Sequence, residues 1–231
     1  MRAELGEFES ALQSYEKAIN ITPDLSDAYA NKLFVLNYHP GKTPEEVFAH
    51  YRQFDERFCL PYKKSWFKFD TLYPLERKIK VGYLSPDFRK HPVSKWVLPI
   101  LEKHDRERFS IHAYAELALE NEDEVTALIK QHLDSWTSTY GVSDEELANK
   151  IREDGIDILV DLAGHTDGNR LPMIGRYKPA PVVASYCVGF GYTTGLSAVD
   201  YFLAPRSLLV PGGDHLFSEQ PLGLDTSFVY Q

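Results

Sequence analysis

Apolar residues recur at three- and four-residue steps from Leu5 to Phe58, and from Ile79 onward they gather into short runs separated by polar stretches of helix length. The first pattern marks amphipathic helices and the second marks buried strands. Leu5, Phe8, Leu12, Tyr15 and Ile19 share one helical face, and Pro23 closes that helix. A second helix is predicted over about 24–36 and a third from Thr43. There Thr43-Pro44-Glu45-Glu46 combines an N-cap, a proline at the first helical position and a capping-box glutamate. Val47, Tyr51, Phe54 and Phe58 form its apolar face, and the Pro-Gly content of Asn37-Tyr38-His39-Pro40-Gly41 makes that stretch a loop.

Beyond the helices, strands are predicted near 79–84, 109–115, 156–162, 181–187 and 199–203, with helices between most of them. Ser143-Asp144-Glu145-Glu146 is a second capping box, and Leu147 with Ile151 gives its helix a buried edge. Pro99 falls inside a helix expected near 93–104 and predicts that it is bent or short. Alternation of strand and helix implies a parallel sheet with right-handed crossovers. The predicted class is therefore α/β: helices over 1–58, a connector over 59–78, and a Rossmann-like lobe over 79–231. Trp66, Phe67 and Phe69 of the connector are expected to pack onto that lobe.

With 231 residues, 43% of them hydrophobic, the chain can bury a substantial core. The 34 acidic residues against 25 basic give a net charge of −9, which argues against nucleic acid or an anionic membrane as a partner. No run reaches the ~18 apolar residues of a membrane span, and Met1-Arg2-Ala3-Glu4 leads into a polar helix, so a cytoplasmic location is expected. Cys59 and Cys187 make no CxxC or Cys/His pattern and read as reduced thiols, with no metal site expected.

Candidate chemistry begins where the strand at Ile79 ends. After Ser85-Pro86, Asp87 and His91 stand at an i, i+4 spacing that puts a carboxylate beside an imidazole, a plausible general base and its partner. The same pair also reads as an ordinary turn aspartate with a surface histidine. Gly164 permits a tight turn that leaves His165 and Thr166 exposed at a strand tip. Arg170, with Asn169, could donate to an anionic or sugar oxygen, or Arg170 could simply pair with Asp167 or Asp161. Gly189, Gly191 and Gly195 allow close backbone approach to a ligand, but their spacing is not GxGxxG and no P-loop lysine follows. Ligands bind at the carboxyl ends of open parallel sheets, so these blocks are expected to converge there.

Four ordered blocks resemble the O-linked N-acetylglucosamine transferase (SPINDLY-like) family, bacterial type: Leu36 to Pro40; Val81 to Pro92; Asp154 to Thr166 with Gly168-Asn169-Arg170; and Lys178 to Val182 running into Gly189 to Gly195. Gly6, Phe8, Ala11, Tyr15, Ala18 and Pro23 are similar to the second helix of a tetratricopeptide repeat, either cut from a longer array or capping the next domain. The resemblance implies a glycosyltransferase with two Rossmann-like lobes (GT-B), passing N-acetylglucosamine from UDP-GlcNAc to Ser or Thr hydroxyls of proteins, with no cofactor. SPINDLY-type relatives make fucose a second possible sugar. It implies that His91 acts at the acceptor hydroxyl with Asp87 beside it, that Asn37, Tyr38 and His39 belong to an N-terminal active-site loop, and that Gly189 lines the acceptor cleft. It also implies that the UDP-sugar is held mainly by a second lobe, which the residues after Tyr201 to Pro205 are too few to form. The chain then reads as the acceptor-side half. Two other readings stay open: a non-catalytic protein-interaction module built on the helices, and an unrelated nucleotide-binding Rossmann domain.

Overall fold

The computed structural model describes residues 7–69 and 77–225. Leu5, Gly6 and Pro74 lie outside the described residues. Three helices come first: α1 (Phe8–Ile21), α2 (Ser26–Asn37) and α3 (Pro44–Phe58). α1 stops just short of Pro23, since the residue before a proline is pushed out of helical geometry. α3 starts on the expected capping box, with the Thr43 side chain accepting from Glu46 N and the Glu46 carboxylate accepting from Thr43 N.

The remainder alternates as β1 (Ile79–Ser85), α4 (Pro92–Lys103), β2 (Phe109–Ala115), α5 (Glu124–Lys130), β3 (Ser135–Ser138), α6 (Asp144–Glu153), β4 (Ile158–Asp161), α7 (Leu171–Tyr177), β5 (Val182–Tyr186), β6 (Tyr201–Pro205) and β7 (Gln220–Leu224). All seven strands are parallel, in the order β3-β2-β1-β4-β5-β6-β7. The helical segment and Rossmann-like sheet expected from the hydrophobic pattern are both present. β3 and β7, the two edge strands, were not among the expected ones. α4 runs on through Pro99 rather than stopping at it.

The two faces of the sheet follow from the period-two alternation of strand side chains. Val81 and Tyr83 of β1 join Val97 and Leu101 of α4 and Ile129 of α5 in one core. Leu84, on the opposite face, joins Leu147 and Ile151 of α6, Ile174 of α7 and Tyr51, Phe54 and Phe58 of α3 in the other. The N-terminal helices and the sheet thus share a core. Trp66 packs against it and donates from Nε1 to the Gly175 carbonyl at 3.0 Å, whereas Phe67 is exposed beneath the Arg152 guanidinium.

The strand order reverses at β1. The chain moves outward from β1 through β2 to β3, then returns to place β4 on the other side of β1. Crossovers leave in opposite directions at such a point and open a crevice at the carboxyl ends of the two central strands. That crevice lies between the loop at Pro86 and the turn at Ala163.

Candidate active site

A cleft of about 480 Å³ occupies this switch point, and Asp87, His91, Thr166 and Gly189 all line it. Three of the four sequence blocks therefore meet where the topology requires. The loop after β1 places the first two. Asp87 N donates to Ser85 Oγ at 3.0 Å, and the Asp87 carbonyl accepts from Ser94 Oγ at 2.6 Å, tying the loop to the first turn of α4. His91 is the N-cap of that helix, its Nδ1 accepting from Val93 N at 3.3 Å.

Asp87 Oδ2 lies 3.5 Å from the same Nδ1. One ring nitrogen thus faces two partners with opposite requirements. A bare Nδ1 accepts from Val93, whereas a protonated Nδ1 donates to Asp87 and leaves Nε2 bare as a base. Burial pushes the Asp87 carboxyl above the usual carboxylate range, while His91 and Arg89 pull it down. The His91 side chain is 38% exposed against 10% for Asp87. A reachable imidazole backed by a buried carboxylate is the arrangement a general base needs.

The turn after β4 supplies the opposite wall. Asp161, fully buried, accepts from Ala163 N, Gly164 N and Ser185 Oγ at 3.2, 2.9 and 2.9 Å. Its burial raises its pKa, and these donors oppose the shift. Gly164 has φ +56°, and a side chain there would also meet Phe190 Cβ at 2.4 Å. Thr166 donates its hydroxyl to the Ala163 carbonyl at 2.8 Å, which leaves the oxygen's lone pairs free to face the cleft. At Gly189 a Cβ would fall 1.9 Å from the Leu162 carbonyl oxygen, so only glycine lets this loop close against the tip of β4.

Other expected site residues stand elsewhere. His165 is not exposed at the strand tip. It is 3% exposed, ringed by Tyr51, Phe54 and Phe190, with Nε2 bonded to the Thr194 carbonyl at 2.8 Å. α3 covers it, and burial depresses its pKa to about 4, which keeps the ring neutral. Arg170 pairs with neither Asp161 nor Asp167. Its guanidinium lies behind the cleft wall against Glu116 (2.7 Å) and Asp144 (2.8 Å), and donates to the carbonyls of Thr139 and Val142.

Asn37 and His39 do not reach the His91 cleft. They line a second, largely apolar cavity of about 310 Å³ between α3 and Gly191 to Thr193. Asn37 Nδ2 donates to Tyr51 Oη at 2.6 Å, and His39 bridges Glu9 and Gly41 N. Tyr38 is exposed against Phe34.

Sequence reading overlooked Arg89, Glu116, Asn121, Tyr140 and Asp167, all of which line the cleft. Glu116 immediately follows β2, so the strand-end rule that found Asp87 applied equally to it. Among the described residues, no group of three or more His, Cys, Asp or Glu side chains is placed to hold a metal ion, and no helix is long and apolar enough to cross a membrane. Both cysteines are free and buried.

The glycosyl transferase family 41 profile matches residues 56–219, and a TPR repeat profile matches residues 1–32. The chain is 30% identical over 224 residues to the probable UDP-N-acetylglucosamine–peptide N-acetylglucosaminyltransferase SPINDLY of Oryza sativa, covering 94% of this chain and 23% of that protein. Against its namesake in Arabidopsis thaliana the identity is 35% over 187 residues, 78% of this chain and 20% of the other. The chain thus spans under a quarter of the length of these curated relatives. Among solved structures, a Thermobaculum terrenum O-GlcNAc transferase mutant superposes with a TM-score of 0.85 at 29% identity, covering 96% of this chain and 42% of that one. With residues 56–219 matched, from the last turn of α3 to the residue before β7, this chain belongs to glycosyl transferase family 41.

Proposed function

We propose that this chain forms the acceptor-side lobe of a protein O-linked N-acetylglucosaminyltransferase, which moves N-acetylglucosamine from UDP-GlcNAc to Ser or Thr hydroxyls of proteins in the cytoplasm. The observation that carries the reading is the cleft at the β1/β4 switch point, where Asp87 and His91 face Thr166 and Gly189. The relatives' names supply the reaction class; the cleft supplies a place for it.

In this reading a hydroxyl enters the cleft and gives its proton to His91 Nε2 as its oxygen attacks the sugar's anomeric carbon. The bond from that carbon to the diphosphate breaks, and UDP leaves with the electron pair. Asp87 holds the Nδ1–H tautomer and stabilises the imidazolium, as a buried carboxylate does for a histidine base. The departing diphosphate needs preorganised donors. Arg89 brings one guanidinium to the cleft lining, against the three carboxyl side chains of Asp87, Glu116 and Asp167. The donor is accordingly assigned to a second lobe, and the reaction uses no cofactor.

Two titrations of the 231-residue chain test the division. A serine- and threonine-rich peptide, followed by amide NMR, should shift Thr166 and Gly189, while calorimetry with UDP-GlcNAc should show at most weak binding. Tight nucleotide-sugar binding with sustained transfer would move the donor site into this lobe and overturn the assignment.

A further inference from the structure

The last two crossovers of the sheet carry no α-helix. Between β5 and β6 the chain crosses irregularly, and between β6 and β7 it makes only the short 3-10 turns Arg206–Leu208 and Asp214–Leu216. Irregular backbone of this kind lacks the internal ladder that satisfies helical amides, so its polar groups must find partners elsewhere. One buried side chain reaches both crossovers. Glu219, 4% exposed just before β7, accepts from Thr193 Oγ1 at 2.5 Å, from Thr194 N at 2.7 Å and from the Thr194 hydroxyl.

The bonds continue in both directions. Thr193 Oγ1 accepts from Gly195 N at 3.0 Å and Ser218 N at 3.3 Å, and Thr194 Oγ1 accepts from Leu196 N at 3.2 Å. The Thr194 carbonyl accepts from His165, the residue next to Thr166 of the cleft. Gly189, near the start of the same crossover, is seated against the β4 tip. A single buried carboxylate therefore joins two helix-free crossovers and, through Thr194 and His165, the turn that forms one cleft wall.

We infer that Glu219 is a positioning residue for the acceptor cleft: its carboxylate fixes the 189–195 segment and so holds the Gly189 backbone where an acceptor would lie. The inference rests on the reading of that cleft as the acceptor site. Glu219 does not line the cleft and acts only through Thr193 and Thr194. The site calls for a carboxylate rather than an amide. In Glu219→Gln the amide NH₂ would face Thr193 Oγ1, whose lone pairs already serve Gly195 N and Ser218 N, so one donor would meet another.

Amide hydrogen exchange on the 231-residue chain reads the anchoring directly. In Glu219→Gln, Thr194, Gly195 and Leu196 should exchange at least ~10-fold faster while β1 and β4 amides stay within ~3-fold, an acceleration confined to one segment as expected of local opening. The affinity of a serine-rich peptide, read at the Gly189 amide, should fall several-fold. Unchanged exchange at these amides, or an acceleration spread evenly over the sheet, would overturn the inference. Should Glu219→Gln not fold, Thr193→Val removes one donor and must give the same local pattern; its absence there is equally contrary. A peptide that fails to bind the parent chain counts against the acceptor reading of the cleft, whereas the exchange rates still decide what Glu219 anchors.

Discussion

Arg170 Nη2 lies 2.7 Å from Glu116 Oε2, with both side chains largely buried, so Arg170 fixes this cleft-lining carboxylate from behind. The same guanidinium reaches Asp144 and the carbonyls of Thr139 and Val142, joining the end of β2 to the start of α6.

Arg170→Ala should therefore act on stability. It strands a buried carboxylate and two carbonyls, a change that typically costs about 3 kcal/mol. Arg170→Lys should recover little, because three ammonium donors cannot serve four acceptors in a fixed fork. Chemical denaturation checks both. A variant as stable as the parent but unable to bind peptide would return Arg170 to the substrate site.

His165 sets a pH dependence. Its folded pKa of about 4 lies below the ordinary 6.5, so the unfolded chain takes up the proton first as pH falls. Stability from the neutral ring is complete above pH 6.5 and is lost on acidification toward pH 4, by up to about 1.4 kcal/mol per pH unit. The carboxyls of Asp161 and Glu219, raised by burial, pull the other way as pH falls, so the comparison must be with a variant. His165→Gln lacks the titration, and its urea midpoint should decline less than the parent's between these values. Parallel curves would contradict the burial argument.

Gly189→Ala should be disruptive for its size. The new methyl would overlap the Leu162 carbonyl oxygen, and the contact is backbone on backbone, so no rotamer relieves it. Overpacking of this kind costs about 1–3 kcal/mol, or roughly 2–12 °C of Tm for a chain of this length. Peptide-induced shifts at Thr166 should weaken with it. Calorimetric melting and the NMR titration together check the pair of effects.

Local signals were legible in the sequence. The apolar runs of β1, β2, β4 and β5 mark themselves, and the boxes at Thr43 and Ser143 start α3 and α6 where their spacing says. β3 escaped because Ser135–Ser138 is four partly or fully exposed edge residues with no apolar run. β7 escaped because Pro221 and Gly223 read as loop, although an edge strand tolerates both. The box before α5 carries threonine instead of glutamate at its third helical position. Contacts between distant segments were not legible. Nothing near His165 tells that α3 covers it, and Glu116, which holds Arg170, stands 54 residues away.

The most direct test of the account asks whether His91 is needed for chemistry or only caps α4. His91→Asn keeps an oxygen able to accept from Val93 N, and asparagine is among the best N-cap residues, so the helix should lose little. It removes the imidazole. Assayed together with the donor lobe proposed for it, the variant should transfer labelled N-acetylglucosamine to a protein acceptor about a hundred- to ten-thousand-fold more slowly, the contribution of a positioned general base, with the melting temperature nearly unchanged. Transfer within threefold of the parent would show that the Asp87–His91 pair is a surface cap and that the base lies elsewhere.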